Sequence, residues 1–101
     1  MPSSFAKKVW KACSLIPKGK ISTYSSIARA IGKPNASRAI GNALNKSPGM
    51  PKCPCHRVVK SNGSIGGFAK GKRKKIELLK KEGIKIRNSK IINLKNILYH
   101  F

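Results

Sequence analysis

Apolar residues recur at helical spacing from the start of the chain: Phe5, Val9, Cys13 and Ile16 share one stripe, with Ala12 beside them and Trp10 next to Val9. This predicts an amphipathic helix over residues 4–16, capped by Ser3 or Ser4. Pro17-Lys18-Gly19 reads as a turn. Ile21 to Thr23 reads as a short extended piece, and Thr23 can cap a second helix from Tyr24 to Ala30 that ends at Gly32. A third helix is expected over residues 35–45, its inward stripe formed by Ala39, Ile40, Ala43 and Leu44. Two short helices joined by a tight Gly-containing turn read as a helix-turn-helix, whose second member is the DNA reader.

Residues 47–54, SPGMPKCP, hold three prolines and a glycine and read as loop. Arg57 to Lys60 and Ile65 to Phe68 read as two strands of a hairpin about Ser61-Asn62-Gly63-Ser64, because Asn-Gly is a strong hairpin signal. A last core helix is expected over residues 71–82, with Ile76 and Leu79 inward and Gly83 as its stop. One further helix is expected at about 89–99. The fold class is thus mainly α with a small β-hairpin wing, a winged helix-turn-helix-like domain. Residues 1–84 are read as the working domain and 85–101 as a basic C-terminal tail.

Charge narrows the function. Lys and Arg number 23 against two acids, Glu77 and Glu82, for a formal charge of +21. Such a chain repels itself and favours a polyanion, nucleic acid first and an anionic membrane surface second. No apolar run approaches the ~18 residues of a membrane span. The N-terminus lacks the apolar centre of a signal peptide, so an intracellular, cytoplasmic location with DNA is expected. Cys13, Cys53 and Cys55 are then three thiols rather than a disulfide framework.

The candidate chemistry lies in KCPCHRVV, residues 52–59. A metal site is disfavoured, because C-x-C-H lacks a second ligand pair elsewhere. A redox pair usually reads C-x-x-C, and side chains two apart about Pro54 offer an unusual bridge geometry. Two readings stay open on these residues alone. Cys55 can be a nucleophile whose proton passes to His56, or a buried structural thiol beside a histidine bonded to backbone. A base needs an orienting partner, usually a carboxylate. Glu77 reads as a surface ion pair. Glu82 falls in the last turn of its helix, where the macrodipole disfavours an anion, so Glu82 to His56 is the pair to expect.

Taken with its flanks, the motif resembles a known family. P-C-H-R-V-V, then S-N-G-S-I-G-G-F and a helix ending K-K-E-G, is similar to the O6-alkylguanine-DNA alkyltransferases, the methylated-DNA–protein-cysteine methyltransferases. G-K-I-S-T-Y-S-S-I-A and A-S-R-A-I-G-N-A-L match upstream, so the resemblance runs from about Phe5 to Ile84. It implies a suicide reaction that moves an alkyl group from O6 of guanine in duplex DNA, with O4 of thymine a second candidate, onto the protein's own cysteine. In that scheme Cys55 is the acceptor, His56 the base acting through water, and Glu82 its orienter. Tyr24 helps rotate the base and protonates the departing guanine. Arg38 enters the stack in place of the flipped nucleotide. The third helix, with Ala36, Ser37, Gly41 and Asn42, and Lys33 ahead of it, lies against the minor groove. Pro54, Val58, Phe68 and Ala69 belong to the substrate pocket.

No cofactor and no metal are implied, and a monomer on alkylated double-stranded DNA is the expected working form. Three departures stand out. Ser47 occupies a hinge position where the family usually has Asn. Phe68 stands where it has Tyr, and Ala69 where it has a small polar residue. The related alkyltransferase-like proteins carry Trp in place of the cysteine, so Cys55 argues against that branch.

Overall fold

The computed structural model describes residues 3–47, 53–68 and 70–101. Helix α1 (Ser4–Ser14) starts where Ser3 Oγ accepts a hydrogen bond from the Ala6 amide at 3.0 Å. Its buried residues Val9, Ala12 and Cys13 follow the expected stripe. Strand β1 (Ser22–Thr23) leads directly into α2 (Tyr24–Ala30), capped by Thr23 Oγ1 accepting from the Ser26 amide at 3.0 Å. Helix α3 (Ser37–Asn45) follows after a short connection containing Gly32. It begins two residues later than expected and buries Ile40, Ala43 and Leu44 but not Ala39, which is exposed. Trp10 Nε1 donates to the Ala43 carbonyl at 2.8 Å, fixing α3 against α1.

The three helices close on a core of Val9, Cys13, Ile16, Ile27, Ala28, Ile40 and Val58, all essentially buried. The α2–α3 pair forms a helix-turn-helix-like unit within a mostly helical fold with small strand pairs.

The strand pairing differs from the expected hairpin. Strand β2 (Val58–Val59) pairs in parallel with β1, Ser22 opposite Val58 and Thr23 opposite Val59. Residues 65–68 form no strand. The Asn-Gly turn is present, with the Lys60 amide donating to the Ser64 carbonyl at 2.9 Å, yet the chain beyond it leaves β2. Fully buried Ile65 instead donates its amide to the Ser89 carbonyl at 3.2 Å. Both β2 residues are wholly buried, and the buried backbone of β1 supplies their ladder partners while Ile65 is drawn to Ser89.

Helix α4 (Lys72–Lys81) buries Leu79, and Ile76 packs partly buried beside it. Gly83 ends the helix at φ +86°, the left-handed conformation for which glycine is suited. The expected helix at 89–99 is reduced to one turn, α5 (Leu94–Ile97). Before it, β3 (Ile86–Arg87) and β4 (Lys90–Ile91) form an antiparallel hairpin about Asn88 and Ser89, both at positive φ. This tail supplies Ile91 to a second core cluster with Ile21, Val59, Ile65, Leu79 and Ile84. It also joins the edge of the first strand: the Ile21 amide donates to the Ile97 carbonyl at 2.9 Å, and the Tyr99 amide to the Ile21 carbonyl at 2.7 Å. Among the described residues no helix is long and apolar enough to cross a membrane.

Candidate active site and nucleic-acid interface

Pro54 shapes the motif. Its φ of −78° and ψ of 67°, with the Cys55 amide donating to the Cys53 carbonyl at 2.8 Å, make an inverse γ-turn. A single 3-10 turn (Cys55–Arg57) then carries the chain into β2. The γ-turn brings Cys53 and Cys55 together, their sulfurs 3.5 Å apart, and Cys13 of α1 completes a cluster of three thiols within 4.8 Å of one another. Cys55 is 9% exposed, whereas Cys13 and Cys53 are sealed in the core.

Ser47 Oγ is hydrogen-bonded to Cys55 Sγ. Hydrogen bonds from Cys13 and then Cys53, joined by Ser47, outweigh burial and hold the Cys55 thiol well below the usual thiol range. Cys13 is pushed up by the same sulfur contacts and by burial, so the cluster concentrates thiolate character on Cys55. The three sulfurs could also receive a soft metal ion by spacing. A metal at that point would occupy the lone pair that a nucleophile needs.

His56 is almost wholly buried and its Nε2 lies 3.0 Å from Glu82 Oε2. A carboxylate only accepts, so Nε2 carries the hydrogen and Nδ1 presents its lone pair. Glu82 caps the C-terminal end of α4. Arg57 makes that position tenable: its Nε donates to Glu82 Oε1 at 2.8 Å, a second guanidinium nitrogen donates to Oε2, and the third donates to the Ile16 carbonyl at 2.8 Å. Burial alone would raise the Glu82 carboxyl, but hydrogen bonds from Arg57 and His56, with the charge of Arg57, bring it below the ordinary value. Glu77 keeps its surface role, 3.6 Å from Lys74 and 3.8 Å from Lys81.

A cleft of about 460 Å³ opens between α3 and the segment 60–67. Tyr24, Ser37, Arg38, Gly41 and Asn42 line it, as do Lys60 and Ser61 across the mouth. Arg38 and Asn42 are exposed, and Lys33 and Ala36 lie just before the helix, the first exposed and the second half-buried. The face is basic at its rim and nearly free of bulk along Gly41, where an added Cβ would make only ordinary contact with Tyr24.

Tyr24 stands between this cleft and the Cys55 core. Its hydroxyl lies 3.5 Å from the Gly67 carbonyl, and burial followed by the charge on Cys55 raises its pKa. Gly66 is required beside it. At φ +77°, a Cβ there would sit 3.0 Å from the Tyr24 hydroxyl.

Lys75 holds this corner and was not anticipated from sequence. It is fully buried on α4, and its Nζ donates to the Val58 carbonyl at 2.6 Å and the Gly67 carbonyl at 3.1 Å. It lies 3.5 Å from the Tyr24 hydroxyl and 5.7 Å from the ring centroid. Burial pushes its ammonium down to about 8, against a partial recovery from the thiolate. Val58 and Pro54 are buried beneath the site, and Phe68 packs partly buried on the same core. Ala69 lies outside the described residues.

Residues 4–84 match the DNA binding domain of 6-O-methylguanine DNA methyltransferase. The chain belongs to this family. The methylated-DNA–protein-cysteine methyltransferase of Methanosarcina acetivorans is 48% identical over 81 residues, 80% of this chain and 52% of the relative. That of Shigella flexneri is 40% identical over 79 residues, 78% of this chain and 46% of the relative. The chain thus spans about half the length of these curated relatives.

Among solved structures, Mycobacterium tuberculosis OGT in complex with DNA aligns with a TM-score of 0.78 and 38% identity, covering 82% of this chain and 51% of that one. S. pombe Atl1, in complex with damaged DNA containing O6-carboxymethylguanine, aligns with a TM-score of 0.84 and 32% identity, covering 96% of this chain and 95% of that one. Tyr24 and Arg38 line the cleft, Tyr24 also packs on the core that holds Cys55, and His56 pairs with Glu82 behind it, whereas Arg57 and Lys75 are the two supporting residues the sequence reading missed. Arg57 was legible in principle, since an anion at a helix C-terminus calls for a nearby cation. Lys75 carries no such signal among its lysine neighbours.

Proposed function

We propose that this protein repairs DNA by moving an alkyl group irreversibly from O6 of guanine in duplex DNA to Cys55, once per molecule. The observation that carries this reading is the geometry of Cys55, the most exposed of the three clustered thiols, bonded to Ser47 and followed in sequence by the His56–Glu82 pair. The target guanine leaves the stack and enters the cleft, and Arg38 fills the gap it leaves. The thiolate attacks the alkyl carbon in line with the C–O6 bond. A C–S bond forms as the C–O6 bond breaks, and the Tyr24 hydroxyl protonates the departing guanine so that it leaves neutral. His56, oriented by Glu82, takes the thiol proton through water. The small residues of α3 admit a minor-groove wall, and the exposed lysines and arginines supply phosphate contacts. O4-alkylthymine presents the same alkyl carbon in the same chemistry and is a second substrate for the same cleft.

The likeness to S. pombe Atl1, solved in complex with damaged DNA, supports binding alone and so leaves one other reading: the domain recognises alkylated DNA while Cys55 stays inert. Mass spectrometry separates the two. After incubation with duplex DNA containing O6-methylguanine, the peptide with Cys55 is expected to gain one methylene. Tight binding to that DNA with an unmodified Cys55 would establish the recognition reading instead.

A further inference from the structure

The Cys53 thiol has no part in alkyl transfer as proposed, yet it is the sulfur set against the nucleophile at 3.5 Å. Along an extended segment, residues two apart share a face but stand roughly 6.6 Å apart. The inverse γ-turn at Pro54 shortens that span and brings the sulfurs into contact. Of the three clustered thiols, Cys55 alone reaches the surface, so an oxidant meets it first. Cys53, 1% exposed, is shielded from solvent reagents but not from its neighbour.

We propose that Cys53 is a resolving thiol for Cys55: a hydroperoxide oxidises Cys55, and the resulting sulfenic acid is captured as a reversible Cys53–Cys55 disulfide. The first step is attack of the Cys55 thiolate on one oxygen of hydrogen peroxide. The S–O bond forms, the O–O bond breaks, and hydroxide leaves and is protonated to water. Sulfur loses two electrons and the peroxide gains them. In the second step the Cys53 sulfur attacks the Cys55 sulfur. The S–S bond forms, the S–O bond breaks, and the hydroxyl departs with the Cys53 proton as water.

Geometry favours this capture over further oxidation. The sulfurs need approach only from 3.5 Å to about 2.05 Å, within reach of side-chain rotation. The attacking group is already in place, so no encounter is needed, whereas a second peroxide must enter a nearly closed site. A sulfinic acid would be irreversible, and a protein that acts once would be lost before acting. A small thiol can reopen the disulfide by exchange at the more exposed Cys55 sulfur. The inference takes Cys55 as the reactive thiol, as in alkyl transfer, but its readout is the thiols themselves.

The test treats the full chain with hydrogen peroxide, labels remaining thiols with a maleimide under denaturing conditions, and maps the peptides by mass. Wild type is expected to lose two hydrogens, with Cys53 and Cys55 unlabelled and linked, and Cys13 labelled. Dithiothreitol should restore both thiols, and with them any alkyl transfer measured on untreated protein. In Cys53→Ala, Cys55 should gain two or three oxygens that dithiothreitol does not remove, whereas Cys13→Ala should still form the Cys53–Cys55 link, more slowly because a donor to the Cys55 sulfur is lost. A wild-type Cys55 that reaches the sulfinic acid while Cys53 still labels would overturn the proposal. So would a Cys13–Cys55 link. The wild-type map decides the matter even if a cysteine variant does not fold. Failure of alkyl transfer on untreated protein would count only against the repair reading.

Discussion

Ser47 Oγ is hydrogen-bonded to Cys55 Sγ, so the residue at the expected hinge position touches the proposed nucleophile directly. Its hydroxyl is one of the donors that favour thiolate over thiol. Ser47→Ala is expected to raise the pH at which Cys55 reacts with iodoacetamide. A hydrogen bond to a charged group contributes about 1.5–3 kcal/mol, so the shift should be about one pH unit or more. An unmoved titration curve would leave Ser47 as a hinge residue only.

Glu82→Gln removes the acceptor shared by His56 and Arg57. The folded carboxyl lies below its ordinary 4.5, so its contribution to stability is complete above that value and is lost as pH falls through the lowered one. The variant should therefore show a flatter fall in melting temperature under acid than wild type. It should also slow methyl transfer near neutral pH. Transfer at the wild-type rate would return Glu82 to a purely structural ion pair with Arg57.

Lys75 titrates at about 8 when folded and 10.5 when unfolded. Between those values the unfolded chain holds the extra proton, so stability rises with pH. Other lysines contribute to any raw curve, and the comparison with Lys75→Met isolates this one. The wild-type advantage over the variant should grow by up to about 1.4 kcal/mol per pH unit across that window in chemical denaturation. A constant gap between the two curves would show that the ammonium is not desolvated.

Gly66→Ala meets two obstacles, a φ of +77° and the Tyr24 hydroxyl 3.0 Å from the new Cβ. A cost of about 1–3 kcal/mol in unfolding free energy is expected, together with slower transfer from a displaced tyrosine. Gly67→Ala, with nothing within 4 Å of its Cβ, is the matched control and should lie close to wild type. Equal effects of the two substitutions would remove the Tyr24 contact as the cause.

Arg38 is exposed at the rim of the cleft. If it replaces a flipped base, Arg38→Ala should slow single-turnover repair of duplex O6-methylguanine even at saturating protein, by at most a few kcal/mol in barrier. Dealkylation of free O6-benzylguanine should change little. Full recovery of the duplex rate at saturation would make Arg38 a phosphate clamp.

The parts of this fold that were legible in sequence are those whose signal is local. The α1 stripe, the Ser3 and Thr23 caps and the Gly83 stop each lie within a few residues of the structure they cause. The β1–β2 pair is two residues deep and joins positions far apart, so it leaves no period to read, and the Asn-Gly turn drew the second strand to the wrong partner. The tail reads as helical by composition, but Asn88 and Ser89 at positive φ turn it into a hairpin. At the site, His56–Glu82 was legible because acids are so few. Lys75 was not, because its burial is created by carbonyls of Val58 and Gly67 that come from elsewhere in the chain. The Cys53–Cys55 contact was set aside because C-x-C is not the usual redox spacing, and the γ-turn that closes it leaves no period in the sequence.

The backbone bonds from Ile21 to Ile97 and Tyr99 bear on how the molecule is born. Tyr24 follows β1 directly, and one edge of that extended segment is closed only by residues that leave the ribosome last among those described. During synthesis the three helices can condense early, while the segment at Ile21 waits with an open edge. The backbone pairing of the segment that leads into α2 is therefore completed after the helices can pack, by the residues made last among those described.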